Sequence, residues 1–115
     1  MDIENLQQRL RDFAAARDWQ RYHSPKNLAM AMSVEMAELV EHFQWLTEQQ
    51  SRDLGAAKRA EVEQELADVL IYLVRLADQL GIDLLEAAQR KLAVNEARYP
   101  ADKVRGSSRK YSEYD

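Results

Sequence analysis

Two pairs of carboxylates lie three residues apart in stretches of the sequence that are otherwise apolar. Glu35 and Glu38 form the first pair, and Glu65 and Asp68 form the second. In an α-helix, residues three apart project from the same face, so each pair would present two carboxylates in one direction. Two such helices packed together would bring four carboxylates together, and these charges repel unless a cation lies between them. The spacing therefore predicts a divalent-metal site.

The sequence near these pairs offers no basic side chain to neutralise them. Neither residues 27–51 nor residues 60–74 contain Lys or Arg, although each stretch contains four acidic residues. Acidic residues on helices are usually solvated or paired with a base one turn away, and that alternative lacks its partners here. Carboxylate oxygens suit Mg²⁺ or Mn²⁺, whereas a chain with no Cys and two His residues offers little for zinc. We predict Mg²⁺, with Mn²⁺ as an alternative, and the predicted ligands are Glu35, Glu38, Glu65 and Asp68.

Length and composition set the broad class of the protein. With 115 residues and a net charge of −4, the sequence predicts a single domain over residues 1–115 that folds without disulfides. The start MDIENLQQRL lacks the apolar core of a signal peptide, and no run approaches the roughly 18 apolar residues that span a bilayer, so we expect a cytoplasmic protein without a membrane partner. Residues 89–110 contain seven basic and two acidic side chains. An acidic middle and a basic end indicate a ligand that carries both metal and phosphate, whereas the acidic net charge argues against nucleic acid.

The apolar periodicity predicts four helices and an irregular tail, an all-α, four-helix bundle-like fold. The predicted helices run from Ile3 to about Arg17, from Pro25 to about Leu46, from about Ala60 to Leu80 and from Leu84 to about Arg98. Asp2, Ser24 and Asp83 are the predicted N-caps, and Gly81 is the predicted C-terminal stop of the third helix. Residues 18–24 form a loop, residues 47–58 form a connection, and the tail covers about residues 101–115.

Five segments resemble the all-α NTP pyrophosphohydrolases, the MazG-like superfamily, and most closely its dCTP pyrophosphatase branch. They are RDWxxYHSPKNL at 17–28, VEMAELVEHFQW at 34–45, EVEQELADVLIYLVRLA at 61–77, KLAVNEARYP at 91–100 and SSRKYSE at 107–113. Val34 stands where the broader superfamily has the first Glu of its EExxE motif. The dCTP pyrophosphatase branch likewise lacks that Glu, so this departure agrees with the branch.

The resemblance implies Mg²⁺-dependent hydrolysis of a deoxynucleoside triphosphate between its α and β phosphates. The implied substrate is dCTP or a modified dCTP, the products are the monophosphate and pyrophosphate, and the implied role is cleaning of the nucleotide pool. Either Glu35 or Glu38 would act as the general base, and the sequence leaves the choice open. The resemblance also implies a homotetramer with sites built across subunits.

Further side chains are candidates to hold the nucleotide. Aromatic faces can stack on a base, and amide or imidazole groups can read its edge. The candidate base contacts are Trp19, His23, Asn27, Trp45 and Tyr72, although Trp45 could instead be a core residue and His23 could merely cap or pack. Lys91, Asn95 and Arg98 share one helical face at i, i+4 and i+7. The candidate phosphate contacts are Lys91, Asn95, Arg98, Arg109 and Lys110.

The second predicted helix is apolar almost all round, and four short helices cannot bury such a surface. This pattern independently predicts self-association. Two alternatives to the implied activity stay open. The protein could perform the same chemistry on another NTP, or it could be a non-catalytic helical module whose acidic pairs bind a basic partner helix.

Overall fold

The computed structural model describes residues 1–106, and every regular element in that part of the chain is helical. The elements are α1 (Ile3–Ala16), a 3₁₀ helix (Gln20–Tyr22), α2 (Pro25–Glu41), α3 (Glu48–Arg52), α4 (Ala56–Gln79), α5 (Leu84–Arg98) and α6 (Ala101–Val104). The all-α fold class predicted from periodicity is confirmed. In the described chain, none of the helices has the length and apolar character needed to cross a membrane.

Local chemistry explains where the long helices start and stop. The side chains of Asp2, Ser24 and Asp83 each accept a hydrogen bond from the backbone N–H three residues further on, which confirms the three predicted N-caps. Gly81 follows the end of α4 with φ 66°, a conformation that glycine adopts without steric cost. The predicted stop of that helix is thus confirmed.

Four features differ from those predicted. Helix α2 ends at Glu41 rather than near Leu46, because the chain turns sharply, with the Phe43 and Gln44 N–H groups both bonded to the Val40 carbonyl. The predicted connection at 47–58 contains α3, which a reciprocal capping box between Thr47 and Gln50 stabilises. It also contains the first turn of α4, which starts at Ala56 rather than Ala60. The tail predicted to be irregular begins with the short helix α6, and its residues 107–115 lie outside the described part of the chain.

The residues form two compact units, Met1–Ile82 and a second unit that begins at Asp83. In the first unit α2 packs along α4, and α1 packs against α4 as well. Leu28 of α2 and Val74 of α4 are each 1% exposed and form the centre of this core. The other buried apolar residues are Ala14, Val62 and Ala77. The predicted single domain over residues 1–115 remains a prediction.

The outer faces of α2 and α4 carry large apolar side chains that the first unit does not cover. Met30, Val34 and Val40 on α2 are each more than half exposed, at 58%, 57% and 51%. Leu66 on α4 is 53% exposed. The nearly all-round apolar α2 is therefore only partly buried within one chain, as its sequence predicts.

Candidate metal centre

The packing of α2 along α4 brings three of the four predicted metal ligands together. Glu35, Glu38 and Glu65 each offer a carboxylate oxygen, and these three oxygens all lie within 4.8 Å of one another. Glu35 and Glu65 are half-buried and Glu38 is exposed. We call these three residues the acidic cluster.

Two oxygens of the acidic cluster are buried without a hydrogen-bond partner. They are Oε2 of Glu35 and Oε2 of Glu65. Leaving a polar atom buried and unpaired costs several kcal/mol when that atom is charged. A cation between the carboxylates would supply the missing interaction, so these orphaned oxygens fit a metal ion.

The electrostatics of the acidic cluster point the same way. Burial, and after it the negative charge of neighbouring Glu38, raises the pKa of Glu35 to about 7 from its ordinary 4.5. Burial, followed by interaction with Glu38, also raises the pKa of Glu65. Both shifts mean that the site destabilises its own negative charge in the absence of a cation.

His42 lies next to the acidic cluster and close to the first turns of α4. Its Nε2 lies 3.8 Å from Oε1 of Glu65. Its Nδ1 lies 3.3 Å from Nζ of Lys58 and 3.7 Å from Oε2 of Glu61. An imidazole therefore lies at the edge of the acidic cluster. Lys58 forms an ion pair with Glu61 at 3.6 Å. The sequence does not predict this arrangement, because His42 lies just after α2, where helical spacing no longer indicates which side chains meet.

Asp68, the fourth predicted ligand, lies one turn after Glu65 but is not part of the group of three. It is exposed, and its charge is among the causes that raise the pKa of Glu35, so it acts on the acidic cluster electrostatically. Tyr72 follows Asp68 by four residues on the same face of α4 and is half-buried. The predicted role of Asp68 as a ligand and that of Tyr72 as a base contact stay predictions.

The acidic cluster suits a hard divalent cation. All three donors are carboxylates, the ligands that Mg²⁺ and Mn²⁺ prefer, and Mg²⁺ commonly uses a few carboxylates together with substrate phosphates. The unpaired oxygens of Glu35 and Glu65 are the two atoms of the cluster that most need a positive partner.

The predicted base contacts at the start of α2 form a local structure. The ring of Trp19 packs edge-on against Phe13 of α1, with ring centroids 5.6 Å apart, and stays 44% exposed. The side-chain amide of Asn27 donates to the Tyr22 carbonyl at 3.0 Å and thus holds the 3₁₀ helix against α2. Nδ1 of His23 accepts a hydrogen bond from Nε of Arg75 at 3.1 Å.

Trp45 is 86% exposed, in the turn that follows α2. The alternative interpretation of Trp45 as a core residue is therefore wrong for the isolated chain. A large exposed indole is available for a ligand or for another subunit.

The predicted phosphate contacts lie in the second unit or outside the described residues. Lys91 and Arg98 are exposed, and Asn95 is half-buried, on α5. Arg109 and Lys110 fall in residues 107–115, outside the described part of the chain. The predicted roles of all five stay predictions.

Sequence reasoning missed Arg75, the one buried charged residue among those the structure describes. It interrupts the apolar run LIYLVRLA of α4 and is 5% exposed. An Arg inside such a run is the signal that could have drawn attention to it, because buried charges require partners.

Comparison with known proteins shows which family the chain resembles. The family model of the MazG-like family matches residues 30–114. The chain is 44% identical over 113 residues to dCTP pyrophosphatase 1 of Homo sapiens and 42% identical to that of Mus musculus, covering 96% of this chain and 66% of each relative. It thus spans about two thirds of the length of these relatives.

Two further relatives widen the comparison. A dATP/dGTP diphosphohydrolase of Cyanophage S-2L is 46% identical over 57 residues, which cover 50% of this chain and 54% of that protein. The crystal structure of a pyrophosphatase from Archaeoglobus fulgidus superposes with a TM-score of 0.80 at 46% identity, covering 84% of this chain and 91% of that one.

Proposed function

The chain belongs to the MazG-like family, and we propose that it is a metal-dependent nucleoside triphosphate pyrophosphohydrolase whose substrate is dCTP or a modified dCTP. The products are the nucleoside monophosphate and pyrophosphate. The observation that carries the proposal is the meeting of Glu35, Glu38 and Glu65, with two buried oxygens that have no partner. The names of the relatives support the substrate class.

The roles proposed for the acidic residues follow from their burial. Glu35 and Glu65, with their unpaired buried oxygens, would hold a Mg²⁺ ion together with Glu38 and Asp68, with Mn²⁺ as an alternative. When bound, the ion neutralises charge on the phosphates and makes a bound water more acidic. Glu38 is the exposed member of the acidic cluster, so water can reach its carboxylate.

We assign the role of general base to Glu38 for this reason. At the moment of attack its carboxylate would be free of the ion and would take the proton of the attacking water, while Glu35 and Glu65 balance the cation. Trp19, His23, Asn27, Trp45 and Tyr72 remain the proposed base contacts. The proposed phosphate contacts are Lys91, Asn95, Arg98, Arg109 and Lys110.

A different base is the second candidate for the substrate. The similarity to a dATP/dGTP diphosphohydrolase favours this alternative, because it covers half of the chain at 46% identity. A pyrophosphate-release assay over the common and modified nucleotides separates the two candidates. Preferential turnover of dCTP or a modified dCTP supports the first, and preferential turnover of a purine triphosphate supports the second.

Self-association completes the proposal. Met30, Val34 and Val40 expose more than half of their surface on α2, and a second copy of the chain would cover them. A homotetramer is the proposed state. The cytoplasmic location predicted from the cysteine-free sequence remains a prediction.

A further inference from the structure

The guanidinium of Arg75 is fixed by partners on all sides. Its Nε donates to Nδ1 of His23 at 3.1 Å, and its Nη1 donates to Oδ2 of Asp78 at 3.4 Å. The side-chain oxygen of Gln79, in the amide orientation that matches donors with acceptors, accepts from Nη1 at 3.2 Å and from Nη2 at 3.1 Å. Arg75 is 5% exposed, so the direction of its Nε–H bond is set by the fold.

This hydrogen bond determines the state of the His23 ring. Arginine can only donate, so Nδ1 of His23 must carry a lone pair, and a neutral ring then carries its proton on Nε2. The charge of Arg75 acts in the same direction, because a protonated His23 would place a second positive charge against the guanidinium. Burial and the charge of Arg75 accordingly lower the pKa of His23.

Through its bond to Arg75, His23 lies beside the last turns of α4, whereas Glu65 of the acidic cluster lies near the middle of that helix. Asp68, Tyr72 and Arg75 follow one another on α4 at i, i+4 and i+7, so they share a face. Ten residues separate Glu65 from Arg75, a rise of about 15 Å along the helix. A nucleotide site that includes both groups would therefore run along α4 from the acidic cluster toward the 3₁₀ helix and His23.

We propose that Arg75 is a positioning residue that holds His23 as a neutral Nε2–H donor for the base of the nucleotide. The contact then selects a base that presents a hydrogen-bond acceptor, a carbonyl oxygen or an unprotonated ring nitrogen, and disfavours one that presents an amino group at that point. This inference rests on the proposed function.

Two measurements on the full-length protein test the proposal. Long-range ¹H–¹⁵N NMR spectra of histidine-labelled protein at pH 7 report which nitrogen of His23 carries the proton. Steady-state kinetics with dCTP and Mg²⁺ separate KM from kcat. The variants are Arg75→Met, which keeps an apolar chain in the buried position but has no donor, and Arg75→Lys, which restores one donor. The matched control is Arg11→Met, which removes the other cation on Asp78 without touching His23.

The proposal expects the Nε2–H form of His23 in the unmodified protein. In Arg75→Met it expects a mixture of tautomers. Because only the Nε2–H fraction then binds the base, KM should rise by the inverse of that fraction, about twofold for an equal mixture, with kcat unchanged. Arg75→Lys should recover part of the KM, and Arg11→Met should leave both readouts unchanged.

Several results would overturn the proposal. A protonated His23 or an Nδ1–H form in the unmodified protein does so even if Arg75→Met fails to fold. An altered tautomer with an unchanged KM removes the contact with the base. If no nucleotide is turned over, the proposed function fails and the base contact fails with it, whereas the NMR spectrum still shows whether Arg75 sets the state of His23.

Discussion

At the residue scale, the raised pKa of Glu35 in the acidic cluster makes the stability of the folded protein depend on pH. The pKa of Glu35 is raised from 4.5 to about 7 in the folded protein. Between these values the folded state holds a proton that the unfolded state releases, so this contribution favours folding at low pH. It is lost as the pH rises through about 7.

We expect the metal-free protein to lose thermal stability between about pH 5 and pH 8. Replacing Glu35 with Gln removes the titrating group and should flatten this part of the stability profile. Thermal melts over that pH range in a chelating buffer measure the effect. Equal slopes for the two proteins would contradict the assigned pKa of Glu35.

Divalent cations should stabilise the folded state by neutralising the charges of the acidic cluster. A ligand that binds only the folded state stabilises it by about 2.7 kcal/mol at a hundred times its Kd. Mg²⁺ should therefore raise the melting temperature at pH 8, and Glu65→Gln should reduce this rise because Oε2 of Glu65 is a buried oxygen without a partner. Glu4→Gln, in the exposed first turn of α1, is the matched control and should respond to Mg²⁺ as the unmodified protein does.

Part of this site was predictable from sequence, and part was not. The i, i+3 spacing places Glu35 and Glu38 on one face, and their lack of basic neighbours predicts a cation. The contact between His42 and Lys58 joins residues 16 apart in the sequence, and the bond between Arg75 and His23 joins residues 52 apart. Such contacts depend on how helices and loops pack, and no local pattern encodes them.

At the scale of elements, the packing of α2 on α4 positions the acidic cluster. Leu28 is 1% exposed. It directly follows Asn27, whose side chain holds the 3₁₀ helix against α2. Leu28→Ala should lower the free energy of unfolding by about 2–5 kcal/mol. Chemical denaturation at low protein concentration measures this, with Leu70→Ala, at a site 42% exposed, as the control. A loss no larger than that of the control would show that Leu28 is not central to this packing.

Helix identity was easier to predict than helix length. The N-caps at Asp2, Ser24 and Asp83 act through bonds within one turn, and sequence reveals them. The early end of α2 at Glu41 depends on a turn without Gly or Pro. Helix α4 starts at Ala56, directly after Gly55, which the sequence predicts to be part of a connection. Both boundaries lack a local signal strong enough to fix them.

At the scale of the whole molecule, the exposed apolar faces of α2 and α4 are the surfaces that the proposed self-association would cover. We expect Val34→Lys to weaken self-association, because Val34 is 57% exposed in the middle of α2 and a buried charge in an interface is costly. Sedimentation over a range of protein concentrations measures the assembly state. Arg9→Glu, at an exposed site on α1, is the control for a change of charge.

Assembly in the Val34→Lys variant that matches the unmodified protein would contradict this use of α2. A monomer in the unmodified protein at all concentrations would contradict the proposed homotetramer as well.

The proposed role of the acidic cluster is to support cleavage of a nucleoside triphosphate to the monophosphate and pyrophosphate. The most direct measurement is Mg²⁺-dependent pyrophosphate release from a panel of nucleotides by the unmodified protein, Glu38→Gln and Asp68→Asn. We predict turnover of dCTP or a modified dCTP that needs Mg²⁺ and falls by about 10²–10⁴-fold in Glu38→Gln, the range for loss of a general base, with a marked loss in Asp68→Asn. Absence of turnover with every nucleotide, or undiminished turnover in both variants, would contradict this role.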